Sequence, residues 1–489
     1  MDITRTLFLK AETAGDPSVF FQKILLNTGK DFPAVICDMT FLFHAYWLEH
    51  THLVRAVYFA EQNSNVQTTG TGNSLKIWEW SVSMQPGFSE YTHSALHEKI
   101  SEKKEISQAE ARAIQDAYKP FVRVNFPFEL STVTVNKPWG KEIWFTGVEK
   151  RGVCGAVVQN TVYGLPWLFA AAGDACIGTA KQQLILLKIL DTLPDPDKGD
   201  LYYEMHRIKK EVYIITGVDN AAWPDGTGEI KLGFNRKKIK QYGTFSVFLE
   251  EMSSAVKNYK KVRDAIDGYG NNEIPSYLTE QERELRGIME SYMGIVRVSA
   301  GDTICIPNYM PHSLRHGIRV LEFQTPVYER LIISFTQRVL TQNHWDTDEA
   351  FSIIREKYQD GQICYDVDNT SGQQNKSGEN QNPDVSYGRT KIEKIVDFED
   401  FYVNKILFSA GSSISENTGK SYMLVFIISG QLRYAQQPGE NSILLQPGKA
   451  YFIPASCGAY MLSNMNMKSD NTDQAVCCIA VPKPTKHGF

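Results

Sequence analysis

The chain has no run of about eighteen apolar residues, the length a helix needs to cross a bilayer, so a helical membrane span is not expected. It has no Cys-x-x-Cys pair among its eight cysteines. Those cysteines (37, 154, 176, 305, 364, 457, 477 and 478) are spread through apolar runs, the setting of reduced, buried thiols in a cytoplasm. Cys477 and Cys478 are adjacent in a strand-like run and point to opposite faces, which argues against a zinc knuckle. There is no excess of positive charge: 51 Lys and Arg stand against 56 Asp and Glu, a formal net charge of -5. A nucleic-acid partner is therefore not expected. Local basic clusters such as Arg236-Lys237-Lys238-Ile239-Lys240 fit the solvated face of a helix. The opening Met1–Asp16 lacks a basic start followed by an apolar core, so no secretory leader is expected and the cytoplasm is the expected location. What remains is 489 residues, 42% hydrophobic and 22% charged, enough for about three globular domains.

The most informative stretch is 199–217, GDLYYEMHRIKKEVYIITG. Leu201–His206 and Glu211–Thr216 are rich in β-branched and aromatic residues and read as two short strands. Glu204 and His206 are two apart, so on a strand they share a face. Glu211 comes five residues after His206, just past a polar corner. About a hundred residues on, Gly301-Asp302 forms a turn, Thr303–Ile306 a short strand, Pro307 stops it, and His312 follows. Two carboxylates and two imidazoles converging on one point are the raw material of a divalent-metal site, suited to Zn, Mn, Fe or Ni. Glu204 and Glu211 buried together would repel without a cation. The bland alternative is a set of Glu and His side chains that satisfy only one another.

Elsewhere the pattern is mixed. Asp16-Pro17 predicts a capped helix over Ser18–Leu26. The apolar runs Phe32–Trp47 and Leu53–Ala60 are of undecided type. Residues 95–118 read as helix, in two pieces, with Ser107–Glu110 a capping box for the second. His50 and His52 have no partner motif nearby and read as structural or surface groups. Residues 131–145 predict strand, turn and strand, and 146–198 short strands and turns. Phe245, Phe248, Leu249, Met252 and Val256 recur at helical spacing, and Leu278–Met293 reads as another helix, opened by Thr279–Glu282. Strands are predicted at Val296–Val298, Thr303–Ile306, Val320–Gln324 and Leu331–Phe335, and a helix at Trp345–Tyr358. Residues 359–390 are polar, a linker or surface loop. In 391–485 the cadence returns: Tyr422–Ser429 ends at Gly430, and Gly448-x5-Pro454 repeats the second motif, with Ala459 where a His would stand.

The spacings Glu204-x-His206-x4-Glu211-x5-Gly217 and Gly301-x5-Pro307-x4-His312 resemble the two motifs of the cupin barrel. The flanks Leu186-Leu187-Lys188-Ile189-Leu190-Asp191 and Leu321-Glu322-Phe323-Gln324 resemble those of the type I mannose-6-phosphate isomerases, and Lys137-Pro138-Trp139-Gly140 is similar to the opening of several sugar-phosphate cupins. The resemblance covers residues 131–340 and, more loosely, the C-terminal part, and implies a mainly β protein of two cupin (double-stranded β-helix, jelly-roll) barrels with inserted helices; residues 1–130 lie outside it and are expected to be an α+β region. The expected domains are 1–130, of unclear role; 131–340, the metal-binding barrel with a helical insert at about 244–293; 341–390, helix and linker; and 391–489, a degenerate barrel. The implied metal ligands are Glu204, His206, Glu211 and His312, around one divalent metal, zinc first. Glu322 is the implied general base, Lys209 a substrate-site residue, and Arg330 the cation for a phosphate or an enediolate oxygen. Three departures stand out. The family usually begins its ligand set with Gln, where this chain has Glu204. The family inserts a longer loop between the His and the Glu. Its Arg falls about ten residues after the Glu, whereas Arg330 follows Glu322 by eight.

The expected function is a metal-dependent aldose–ketose isomerase that interconverts mannose 6-phosphate and fructose 6-phosphate through an enediol(ate), its partner being a small-molecule sugar phosphate. The alternatives are a cupin acting on another sugar or small acid, and a non-catalytic sugar-binding cupin. Two carboxylates in the ligand set weigh against an iron-dependent oxygenase.

Overall fold

The computed structural model describes residues 5–27, 31–43, 51–62, 67–68, 74–75, 78–84, 89–90, 96–179, 184–270, 272–335, 342–358, 385–387, 390–436, 442–465 and 474–483. His50, Cys364 and most of the polar stretch 359–390 lie outside the described residues. The protein is mostly β and divides into two compact units: Met1–Val133 with Phe145–Ile185 and Asp384–Phe489, and Thr134–Trp144 with Leu186–Pro383.

The second unit carries both motifs. Its six-stranded sheet runs, in spatial order, Val133–Lys137, Gly140–Trp144, Leu186–Thr192, Ile318–Gln324, Glu211–Val218 and Thr303–Ile306. A five-stranded sheet runs Met293–Val298, Gly228–Phe234, His312–Leu314, Tyr203–Met205 and Leu331–Ser334. One apolar core joins the two: Tyr213, Ile215, Ile304 and Val320 from the first sheet meet Ile230, Leu232, Val296 and Leu314 from the second. Trp139 belongs to that core, with 2% of its surface exposed. The opposite face of the five-stranded sheet presents Tyr203, Met205, Phe234, Leu331 and Ile333 to the helices Phe245–Gly268 and Thr347–Lys357. Alternation along a strand produces this division, since neighbouring side chains point to opposite faces.

The helix between the motifs begins earlier than the sequence implies. It spans Ser276–Glu290, with Pro275 at its N-cap and no side-chain cap. The fixed φ of Pro275 is already helix-compatible, so Thr279 falls inside the helix and caps nothing. Met293 opens a strand instead. The basic cluster forms the helix Arg236–Tyr242, which buries no residue and is capped by the Asn235 side chain.

In the first unit, the parallel pair Thr6–Thr13 and Ala34–Phe43 is joined by the helix Pro17–Asn27, the crossover that parallel strands require. Residues 95–118 are not two helices. Lys99–Ile106 is a strand on the edge of this sheet, and only Gln108–Tyr118 is helical, with the Ser107/Glu110 capping box in place. Charged cross-strand partners hold that edge: Lys10–Glu102 at 2.6 Å, Arg5–Glu105 at 2.7 Å and Lys99–Glu12 at 3.3 Å. Eight residues of mixed charge carry no local strand signal, so pairing with Thr6–Thr13 decides their conformation. A helix also replaces strand and turn at Leu165–Ile177. Its small apolar residues leave no polar stripe to mark the period, although Pro166 sits where prolines start helices.

The C-terminal part of this unit packs a nine-stranded sheet, including Phe401–Phe408, Met423–Ser429, Ala450–Ile453 and Ala475–Pro482, on a four-stranded sheet of Ser413–Asn417, Leu432–Ala435, Ser442–Leu445 and Ala459–Ser463. Ile406, Val425, Ile453 and Ile479 face Leu432, Tyr434, Leu445 and Leu462 in one core.

Candidate metal centre

The inward faces of the motif-bearing sheets change character along their length. Leu190 is paired with Val320, and Ile215 with Val320, forming an apolar rung. Two residues along each strand, the next rung reads Trp144–Lys188–Glu322–Tyr213–Ile304. The rung beyond it pairs Gln324 with Glu211, and Glu211 with Ile306. On the five-stranded sheet Glu204 is directly opposite His312, and Leu314 lies two residues further on among apolar neighbours. Period-two alternation therefore delivers a polar cluster onto an apolar floor.

Glu204, His206, Glu211 and His312 are all buried. One donor atom each from Glu204, His206 and His312 lie within 4.8 Å of one another. His206 Nε2 is 3.8 Å from Glu204 Oε1 and 3.4 Å from Glu211 Oε1, and His312 Nε2 is 3.3 Å from Glu211 Oε2. Glu211 is held from two sides, by Lys209 Nζ at 2.6 Å from Oε1 and by the Tyr213 hydroxyl, which donates to Oε2 at 3.0 Å. His312 Nδ1 lies 2.9 Å from the Met310 carbonyl oxygen. A proton on Nδ1 donates there and leaves the Nε2 lone pair facing the cluster, the tautomer a metal ligand needs.

The fit to a divalent cation rests on what these atoms lack. Nε2 of both histidines and Oε2 of Glu204 are buried with no hydrogen-bond partner among the described residues. Buried polar atoms are normally satisfied, and three orphans pointing together are explained by a cation that would take their lone pairs.

The two histidines are shifted in opposite directions. Burial, helped by the charge of Lys209, lowers His206 from its ordinary pKa against the pull of Glu211 and Glu204, which favours the neutral, coordinating form. Burial also acts to lower His312, but the Glu211 carboxylate 3.3 Å from its Nε2 outweighs it and the net shift is upward, toward the protonated ring. Burial opposes ionisation of Glu211; Lys209 and His206 overcome it and hold that carboxyl well below the usual range.

Glu322 lies on the adjacent rung with 1% of its surface exposed. Burial pushes its carboxyl up to about 8; Lys188 pulls it down and Glu211 adds to the rise. Lys188 Nζ is 3.3 Å from Glu322 Oε2, an ion pair by distance in which neither carboxylate oxygen accepts an aligned hydrogen bond. Lys188 and Lys209 are both buried; burial favours their neutral forms, but Glu322 and Glu211 respectively hold both as cations. Arg330 donates from Nη1 to the Tyr202 hydroxyl at 2.7 Å, and Glu204 is among the charges that raise its pKa.

Every site residue read from the sequence is thus near this cluster, and three neighbours were missed. Lys188 lay inside a motif quoted only for its flank. Tyr213 stands two residues from Glu211 on the same strand, which period-two counting could have flagged, whereas Tyr202 precedes the strand of Glu204 and carries no such signal. His316 is turned elsewhere: its Nδ1 is 2.6 Å from Asp200 Oδ1 and its ring stacks on Trp223.

No protein-family model matches the chain, and no curated protein sequence matches it. Among solved structures, mannose 6-phosphate isomerase from Bacillus subtilis is similar at 14% identity and a TM-score of 0.46, over 72% of this chain and 99% of that one. A mutant of phosphomannose isomerase from Salmonella typhimurium is similar at 12% identity and a TM-score of 0.49, over 73% and 99%. A structure described as mannose 6-phosphate isomerase, holo and zinc-bound, is similar at 13% identity and a TM-score of 0.48, over 73% and 99%.

Proposed function

We propose that the chain is a metal-dependent aldose–ketose isomerase that interconverts mannose 6-phosphate and fructose 6-phosphate. One observation carries this reading: a carboxyl raised to about 8, Glu322, shares an inward face with two buried lysine cations and a cation-ready Glu/His cluster. Isomerisation requires these parts. A base must move a proton between C2 and C1, and positive charge must stabilise the oxyanion that forms between the two transfers.

Glu204, His206, Glu211 and His312 would hold the cation, with zinc, manganese, iron or nickel compatible with two imidazoles and two carboxylates. When bound, it supplies polarisation of the substrate's oxygens. Glu322 as carboxylate takes the proton from C2 of the aldose and delivers a proton to C1, while the hydroxyl proton of O2 passes to O1 across the enediolate; the reverse reaction runs the same steps backwards. Lys188 orients Glu322 and adds positive charge beside it. Lys209 fixes Glu211 and offers a second cation, and Arg330 binds the phosphate or an enediolate oxygen. The barrel 131–340 is read as the catalytic cupin, and 391–489 as a second cupin frame without ligands.

The test is an NMR assay of the metal-loaded chain with fructose 6-phosphate in D2O. Mannose 6-phosphate carrying deuterium at C2 is expected. No conversion of either sugar phosphate with any of the four metals would overturn the proposal.

A second reading has one observation in its favour. Glu204, His206 and His312 alone form the tight group, while Glu211 is engaged by Lys209 and Tyr213. Two His and one carboxylate with open positions suit iron and oxygen chemistry on a small acid. Oxygen consumption by the iron-loaded chain would favour it.

A further inference from the structure

The short connection between Glu322 and Arg330 is anchored to the stretch that follows His206. The Thr325 N–H donates to the Lys210 carbonyl at 3.0 Å, and the Lys210 N–H donates to Thr325 Oγ1 at 3.1 Å. The Glu329 carboxylate accepts the N–H groups of Arg207 and Ile208, at 2.8 and 3.2 Å from Oε2. It also sits 3.4 Å from the Arg207 guanidinium. These bonds, to the Thr325 backbone and side chain and the Glu329 side chain, anchor the chain on both sides of Tyr328, two residues before Arg330.

The Arg330 side chain then meets Tyr202. Nη1 donates to the phenol oxygen at 2.7 Å, and the guanidinium carbon lies 5.1 Å from the Tyr202 ring centroid and 5.7 Å from that of Tyr328. Tyr203 and Met205 point into the helix-covered cluster. Tyr202 immediately precedes the strand Tyr203–Met205, two residues before Glu204, and burial and the Glu204 charge are among the causes that raise its phenol. Tyr202 and Arg330 are half-buried, whereas Tyr328 is 71% exposed and Glu204 and His206 are buried. Glu204 is among the charges that raise both Tyr202 and Arg330, so the pair borders the proposed ligand set.

We propose that Tyr202 is a positioning residue that holds the Arg330 guanidinium as a preset fork for an anion entering the metal pocket. A phenol suits this task. It accepts one N–H and fixes the fork without cancelling its charge, as a carboxylate in its place would. Holding the fork in advance spares the substrate the ordering cost of a long side chain. That the anion is the phosphate or enediolate of a sugar phosphate rests on the isomerase reading; that Tyr202 acts through Arg330 does not.

The test is a double-mutant cycle of Tyr202→Phe, Arg330→Ala and the double variant in the full, metal-loaded chain. It reads the Kd for inorganic phosphate by calorimetry and the KM and kcat for mannose 6-phosphate. Tyr202→Phe keeps the ring, and metal content and Tm check the fold. Loss of one charge-assisted hydrogen bond should weaken phosphate binding and raise KM by roughly tenfold, with kcat changed far less. In the Arg330→Ala background, Tyr202→Phe should change neither value further. Losses that multiply in the double variant, or phosphate binding unchanged by Tyr202→Phe or absent from the parent chain, would overturn the proposal. A coupled cycle for phosphate in a chain that turns over no sugar phosphate would leave Tyr202 in its role and remove the isomerase reading instead.

Discussion

In the motif-bearing sandwich Gly301, Pro307 and His312 are spaced as Gly448, Pro454 and Ala459 are in the C-terminal sandwich. Both glycines take the left-handed conformation, at φ 99° and 75°, which turns the chain into the following strand at little steric cost. Both sandwiches close an apolar core between two antiparallel sheets. They differ in what fills the inward positions. The C-terminal core is largely apolar and aromatic, with Ile406, Val425, Ile427, Ile453, Cys477 and Ile479 on one sheet, and beside it stands the carboxyl of Glu416, opposite Tyr460 and raised by burial. The motif-bearing sandwich replaces one end of its core with Lys188, Glu204, His206, Lys209, Glu211, His312 and Glu322, all 9% exposed or less. Turn spacing thus serves the fold, while the identity of a few inward residues decides whether the fold holds a site.

The comparison can be broken by removing chemistry from one sandwich and packing from the other. Glu322→Gln keeps the shape and removes the proposed base; turnover should fall by about a hundred- to ten-thousandfold with metal content unchanged, as steady-state kinetics and elemental analysis would show. Ile453→Ala opens a cavity in the C-terminal core and should cost about 2–5 kcal/mol in denaturant unfolding, with metal per folded chain unchanged. If that change strips the metal, the two sandwiches do not divide their labour as described.

A third test is titration. Burial raises the Glu322 carboxyl to about 8, above its ordinary value, so at lower pH it is protonated and would be idle in the proposed role of base. kcat/KM should climb about tenfold per pH unit below that value and level off above it. A profile flat from pH 6 to 9 would remove Glu322 from the role. The smallest effect expected is none: Ala459→His restores the second-motif histidine to the C-terminal sandwich, but Ala459 is exposed and lies opposite Asn417, so the imidazole should add no bound metal.

Legibility from sequence followed the same division. The motif strands, the helix Phe245–Gly268 and the capping box at Ser107 were readable because each has a strong local period or cap. Lys99–Ile106 was not, because its strand state comes from a partner in distant sequence. Leu165–Ile177 was not, because its small apolar residues show no amphipathic stripe. The proposed ligands were visible as residue types at a spacing. Lys188, Tyr202 and Tyr213 matter only through cross-strand register and side-chain reach, which spacing along one segment does not encode.

Elemental analysis of the purified chain, beside His206→Ala, tests the metal centre most directly. One divalent cation per chain, lost in the variant while the fold persists by circular dichroism, is the expected result. A chain that binds no cation even after zinc, manganese, iron or nickel is added back would contradict it, and with it the assignment of Glu204, His206, Glu211 and His312 as ligands.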